Sequence, residues 1–104
     1  MIRVIIEREI AEGLESYYES AVFNLLGVLS SAPGYLSGDS LVDVHRSNHY
    51  MVVTRWANED AWNRWFVSGE RQQLLDAIRP FLLNNDEKIT MLRQLELPQQ
   101  ATAV

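Results

Sequence analysis

The chain has 104 residues and a formal net charge of −5 at pH 7, with Lys88 as its only lysine and no basic run. That suits one small domain with a single core and argues against nucleic acid as a partner. It holds no cysteine, which excludes disulfides, thiolate metal sites and a cysteine nucleophile and suits a reducing cytoplasm. No apolar run is long enough to span a bilayer, and MIRVIIERE turns charged too early for a signal peptide, so a cytoplasmic protein without a membrane partner is expected.

Ile2, Val4 and Ile6 alternate with Arg3, Ile5 and Glu7, which predicts a first strand ending near residues 8–10. From Leu14 the apolar residues fall at helical spacing through Tyr18, Val22, Leu25 and Leu29, so an amphipathic helix follows. Phe23 lies on its polar face, an odd place for an aromatic ring in a monomer. Pro33-Gly34 ends the helix. Residues 36–45 predict a second strand, and Arg46-Ser47-Asn48 a hairpin turn with Asn48 the best residue for a left-handed backbone.

The stretch 50–69, YMVVTRWANEDAWNRWFVSG, reads as a strand running into a helix, and it contains all three tryptophans. Tyr50, Val52, Thr54 and Trp56 keep period 2. Ala61, Trp62, Trp65, Phe66 and Gly69 then gather on one helical face. Asn58 is placed to cap that helix, with Glu59 and Asp60 in its first turn and Ser68-Gly69 as its stop. Leu74, Leu75, Ile78, Phe81 and Leu82 mark a further helical piece interrupted at Pro80. Asn84-Asn85-Asp86 turns the chain into a last strand over residues 88–95. A domain over 1–97 and a tail over 98–104, PQQATAV from Pro98 on, complete the division.

The resulting β-α-β-β-α-β order is the ferredoxin-like α+β pattern, a four-stranded antiparallel sheet with helices on one face. Ile5, Leu41, Met51, Val53 and Leu92 fall on the minority phases of their strands, which leaves the second face too apolar for water. A second copy of the same sheet is the expected cover, giving a homodimer.

PGYLSGDSL and YMVVTRWANEDAWNRWFVSGERQQL resemble the antibiotic biosynthesis monooxygenase family, small dimeric α+β barrel proteins, and the resemblance runs over most of the chain. It implies O₂ chemistry on an aromatic or quinol-type small molecule with no cofactor. The members that oxidise polyketide anthrones are similar at Trp56, but Val52 stands where they carry asparagine and Trp62 where they carry tyrosine. The haem-degrading members are similar at Trp65, but Leu75 occupies the position of their proximal histidine, so haem ranks last.

The resemblance assigns Trp56 and Trp62 as candidate catalytic donors, and Val52, Thr54, Trp65, Phe66 and Tyr18 as the pocket. An indole N–H donates but cannot accept a proton, so a base would come from His45, His49 or a carboxylate. Core packing is the weightier reading of the tryptophans, and solvated residues flanking a turn that of His45 and His49. No metal site is expected, since no carboxylate has ligand spacing with either histidine. Arg55 points away from Thr54 and Trp56, with Asp43 its candidate partner. The alternative to an enzyme is a non-catalytic dimeric binding or scaffold module.

Overall fold

Burial alternates without a break along the two central strands. On β1 (Ile2–Ile10) Val4, Ile6, Arg8 and Ile10 are buried, and on β3 (His49–Trp56) Tyr50, Val52, Thr54 and Trp56 are buried. The computed structural model describes residues 1–96, so the tail over 98–104 lies outside the described residues. Between these strands come α1 (Glu15–Leu29) and β2 (Tyr35–Val42); after them come α2 (Glu59–Phe66), α3 (Gly69–Ile78), a 3₁₀ turn over Arg79–Phe81 and β4 (Leu82–Arg93). The sheet is antiparallel in the order β2-β3-β1-β4. One cluster joins Tyr18, Val22 and Leu25 of α1, Trp62 and Trp65 of α2 and Ile78 of α3 to the buried face of the sheet. This is the expected ferredoxin-like layering, with the second crossover split into two helices.

The register puts Ile5 opposite Val53 and Thr90, Met51 opposite Glu7 and Leu41, and Leu92 opposite Arg3. The five minority-phase residues therefore share the face away from the helices. In a single chain that face is open: Leu41 and Leu92 are 50% and 45% exposed.

Four local readings change. Ser68 ends α2 as expected, but Gly69 belongs neither to that stop nor to the face of α2. The Ser68 hydroxyl donates to the Trp65 carbonyl and accepts the Arg71 N–H, so it closes α2 and caps α3, and Gly69 begins the new helix. Leu82 leaves the helical piece and opens β4, because Pro80 permits only a 3₁₀ turn before it. Asn84 and Asn85 do take left-handed φ of 60° and 52°, but inside β4: Leu82 pairs with Ile10 and Glu87 with Arg8, so the residues between them bulge out opposite Glu9. Asn48 is not left-handed. It clasps the end of β1, its carbonyl accepting the Ile10 N–H at 2.8 Å and its side-chain amide donating to the Ile10 carbonyl at 3.2 Å.

Asn58 caps α2 as expected, accepting the Ala61 N–H at 2.9 Å. Pro33-Gly34-Tyr35 also has a clear task. Gly34 has φ +83°, and a Cβ there would run into the Ala61 Cβ. Its carbonyl accepts the Ala57 N–H at 2.8 Å. Only glycine lets the α1–β2 turn lie this close to the start of α2.

Candidate functional site

Trp56 sits at the end of β3, 0% exposed. Its ring meets Tyr35 and Trp62 edge-on, with centroids 5.5 and 5.7 Å away, and Trp62 meets Phe66 at 5.7 Å. Such pairs each contribute about 0.5–1.5 kcal/mol beyond area burial. The Trp56 N–H is already committed: it donates to the Thr54 hydroxyl at 2.9 Å, and that hydroxyl donates to the Val4 carbonyl at 3.1 Å. Val52 and Trp65 are buried in the same core, and Phe66 is half exposed at its edge. Tyr18 lies elsewhere, against Tyr50 at 4.7 Å. The assigned residues thus form a packed wall, with Tyr18 apart from the tryptophans' edge-on and tilted pairs.

Beside that wall lies a cluster that the sequence reading missed. Arg8 and Arg71, 2% and 3% exposed, share Glu87. Arg8 donates from Nε to Glu87 Oε2 at 3.0 Å, with its Nη2 ion-paired to the same oxygen at 2.9 Å, and donates from Nη1 to the Tyr18 hydroxyl at 3.1 Å. Arg71 donates to Glu87 Oε1 at 2.8 Å while its guanidinium lies 4.8 Å from the Phe66 centroid and 5.8 Å from that of Trp62. Burial alone would raise the Glu87 pKa; the two guanidiniums outweigh it and hold the carboxyl below its ordinary range. The signal was present in the sequence: Arg8 continues the phase of Ile2, Val4 and Ile6, and Arg71 shares a helical face with Leu75 and Ile78.

A cleft of about 270 Å³ opens between α1 and β2. Val22, Phe23 and Leu26 line it from α1 and Leu41 and Val42 from β2; Ser40, Glu19 and Tyr50 supply its polar groups. The Tyr50 hydroxyl donates to Glu19 Oε2 at 2.5 Å, a short charge-assisted bond. Burial, then Glu19 itself, push the Tyr50 pKa well above the ordinary range. The phenol therefore stays protonated and the carboxylate keeps free lone pairs beside an apolar wall. No Lys or Arg lines this cleft, so its chemistry suits a neutral guest.

Neither histidine stands near it on the helical side. His45 is exposed beyond the end of β2. His49 faces the open side of the sheet, 3.4 Å from Glu7 and 3.2 Å from Asp43. It is held between carboxylates rather than merely solvated, because the β1–β3 pairing brings Glu7 alongside. Asp43 is also not the partner of Arg55. It accepts the His45 and Arg46 backbone N–H groups as well as His49, and these bonds draw its pKa down. No group of three or more His, Asp or Glu that could hold a metal occurs among the described residues, and no helix there is long and apolar enough to cross a membrane.

Sheet order, helix placement and the aromatic wall define a ferredoxin-like α+β protein. Within that class the chain belongs to the antibiotic biosynthesis monooxygenase family, whose model matches residues 1–77. No curated protein matches it. Among solved structures it is similar to SnoaB from Streptomyces nogalater, a cofactor-independent oxygenase: 15% identity, 94% of this chain and 97% of that one, TM-score 0.79. A Deinococcus radiodurans protein assigned to the same family gives 16% identity over 95% and 97% of the two chains, TM-score 0.83. A conserved Methanosarcina mazei protein gives 12% over 90% and 92%, TM-score 0.82. At such identities the likeness establishes the fold.

Proposed function

We propose that the chain is a cofactor-independent, monooxygenase-like enzyme that oxidises a neutral aromatic or quinol-type molecule with O₂ in the α1–β2 cleft, as a homodimer joined through the open sheet face. The observation that carries this reading is the Tyr50–Glu19 pair at an apolar cleft. Glu19 takes a proton from an acidic methylene of the substrate; this neutralises the acceptor of the Tyr50 O–H, which then turns to donate toward the oxyanion that develops. The carbanion gives an electron to O₂, the radicals combine as a hydroperoxide, and loss of water leaves a carbonyl. CH₂ and O₂ become C=O and H₂O, with O₂ as the oxidant. The Trp56–Trp62 wall, with Val52, Thr54, Trp65 and Phe66, fixes β3 against α2 and so holds Tyr50 in place; Tyr18 backs the Tyr50 ring. Oxygen uptake with an anthrone-like substrate, without added flavin, metal or nicotinamide, tests it. Glu19→Gln should lower kcat by about 10²-fold. Uptake unchanged by Glu19→Gln would remove the cleft as the site.

A second reading, a dimeric binding module without turnover, is favoured by the bond that commits the Trp56 N–H to Thr54. It expects ligand to quench tryptophan fluorescence with no oxygen consumed. In both readings the second copy buries Ile5, Leu41, Met51, Val53 and Leu92, about 1.5–3 kcal/mol for each side chain before association costs. Val53→Asp puts an unpaired charge in the middle of that face and should split the dimer. Sedimentation of the wild type as a monomer at micromolar concentration would overturn the pairing.

A further inference from the structure

The chain has four tyrosines and three tryptophans, and the charges beside them set them apart as electron donors. A phenol or indole that gives up an electron becomes a strong acid, so it oxidises readily only where a base at hydrogen-bond distance takes its proton. A nearby cation opposes the loss of the electron, and a carboxylate favours it. Tyr18 accepts a bond from the Arg8 guanidinium at 3.1 Å, and the Arg71 guanidinium lies 5.8 Å from the Trp62 centroid. The Trp56 N–H is given to a neutral hydroxyl, that of Thr54. Asp39 acts on Tyr35 through its charge but accepts no bond from it. Among the described residues only Tyr50 donates to a carboxylate, Glu19 Oε2 at 2.5 Å. Its ring is buried while Glu19 is exposed, so the ring is shielded and the proton has a way to water. Both residues line the α1–β2 cleft, where a small molecule reaches them.

We propose that Tyr50 is a one-electron redox site: it reduces organic peroxyl radicals in the cleft, giving up an electron while its proton passes to Glu19. The Tyr50 phenol, the Glu19 carboxylate and the peroxyl radical become the Tyr50 phenoxyl radical, the Glu19 carboxylic acid and a peroxide anion. The anion then takes the proton from Glu19 and leaves as a hydroperoxide. An electron and a proton from a small thiol or enediol reductant in solution restore the phenol. For the source of the peroxyl this rests on the oxygenase reading above, in which a substrate radical can meet a second O₂; the redox pair itself needs no substrate. Burial and the Glu19 charge keep the phenol protonated at rest, so its proton leaves only with the electron. The nearest ring, that of Tyr18 at 4.7 Å, carries the Arg8 guanidinium 5.9 Å from its centroid. That cation holds the oxidising equivalent on Tyr50 and keeps it from the core.

Flash oxidation by photogenerated tris(bipyridine)ruthenium(III), with no substrate present, tests the pair. Tyr17, 61% exposed, is first replaced by Phe so that its own oxidation does not obscure the signal. In this background a phenoxyl radical should form, read by its visible absorbance and by electron paramagnetic resonance. Tyr50→Phe should abolish it. Glu19→Gln, an exposed change that leaves the ring in place, should slow its formation by about 10²-fold, the contribution of a positioned proton acceptor. Deuterated water should slow it as well, because the proton moves with the electron. Circular dichroism checks each fold, and if Tyr50→Phe is unfolded the Glu19→Gln rate decides. A phenoxyl of equal yield in a folded Tyr50→Phe, a rate unchanged by Glu19→Gln, or a tryptophan radical in place of the phenoxyl would overturn the redox site. A protein that takes up oxygen with substrate but forms no phenoxyl would overturn the redox site alone. One that forms the phenoxyl at Tyr50 but takes up no oxygen would uphold it and remove the oxygenase reading.

Discussion

Replacing Glu87 by Gln should cost more than any other single surface-near change in the domain. The substitution keeps the side chain's size and removes the charge that two buried guanidiniums share. Arg8 loses the carboxylate bound by its Nε and Nη2, and Arg71 the one bound by its Nη2. Both arginines are nearly inaccessible to water, at 2% and 3%, so neither regains solvation in the folded state. Breaking a buried pair in this way costs about 3–5 kcal/mol. Against a total stability of about 5–15 kcal/mol that is a large fraction, equivalent to roughly 15–30 °C in Tm for a domain of this size. Urea unfolding followed by tryptophan fluorescence, at one fixed protein concentration, measures it. The pH profile supplies a second readout. Glu87 is held below its ordinary value of 4.5, since the guanidiniums outweigh the effect of burial. Its contribution is therefore complete above the unfolded carboxyl pKa and is lost as pH falls through the lower folded value. The wild type should lose stability in that acid window, and Glu87→Gln should lose less over the same range. A Glu87→Gln variant destabilised by under about 1 kcal/mol would refute the reasoning, since that is what an exposed pair contributes.

Gly34→Ala should destabilise by about 1–3 kcal/mol, because the added methyl meets Ala61 and the residue sits at φ +83°; a neutral result by thermal melting would mean that the α1–β2 turn is not held against α2. Trp56→Phe should lower stability by about 1–3 kcal/mol through the lost Thr54 bond and the smaller ring, yet leave oxygen uptake within a few-fold of wild type; a hundredfold loss of rate at unchanged fold would move the chemistry from the cleft to the tryptophan. Haemin titrated at micromolar levels should give no stoichiometric Soret shift, as Leu75, buried in α3, offers no ligand; a sharp endpoint would point to His45 or His49.

Strand phases were legible because β1 and β3 keep period 2 along their length, and a phase error would have turned every side chain to the wrong face. Local signals failed where one residue serves two elements. Ser68 both ends α2 and caps α3, and a serine before a glycine looks the same whether a helix stops or starts there. Asn84 and Asn85 carry the turn signal correctly, since both are left-handed. Whether such a pair reverses the chain or bulges a strand depends on Ile10 and Arg8 across the ladder, which no window around the asparagines contains. Glu87 meets Arg8 across 79 positions, and only the β1–β4 pairing brings them together.

The residues that matter most broke the pattern around them. Arg8 places a charge on the apolar phase of its strand, and that position becomes a buried ion pair. Phe23 places an aromatic ring on the polar face of its helix, 81% exposed in the single chain. One helical turn before it stands Glu19, so the two share a face of α1. Across from that face run Leu41 and Val42 of the edge strand, and Tyr50 reaches Glu19 from the strand behind. An apolar residue on the wet side of a helix costs solubility unless something apolar rests on it. In the function proposed above, the carboxylate that a phenol holds beside it, in a cleft without a cation, takes a neutral molecule with a proton to give. The tryptophans, by contrast, obey every local rule of strand and helix, and they end as core.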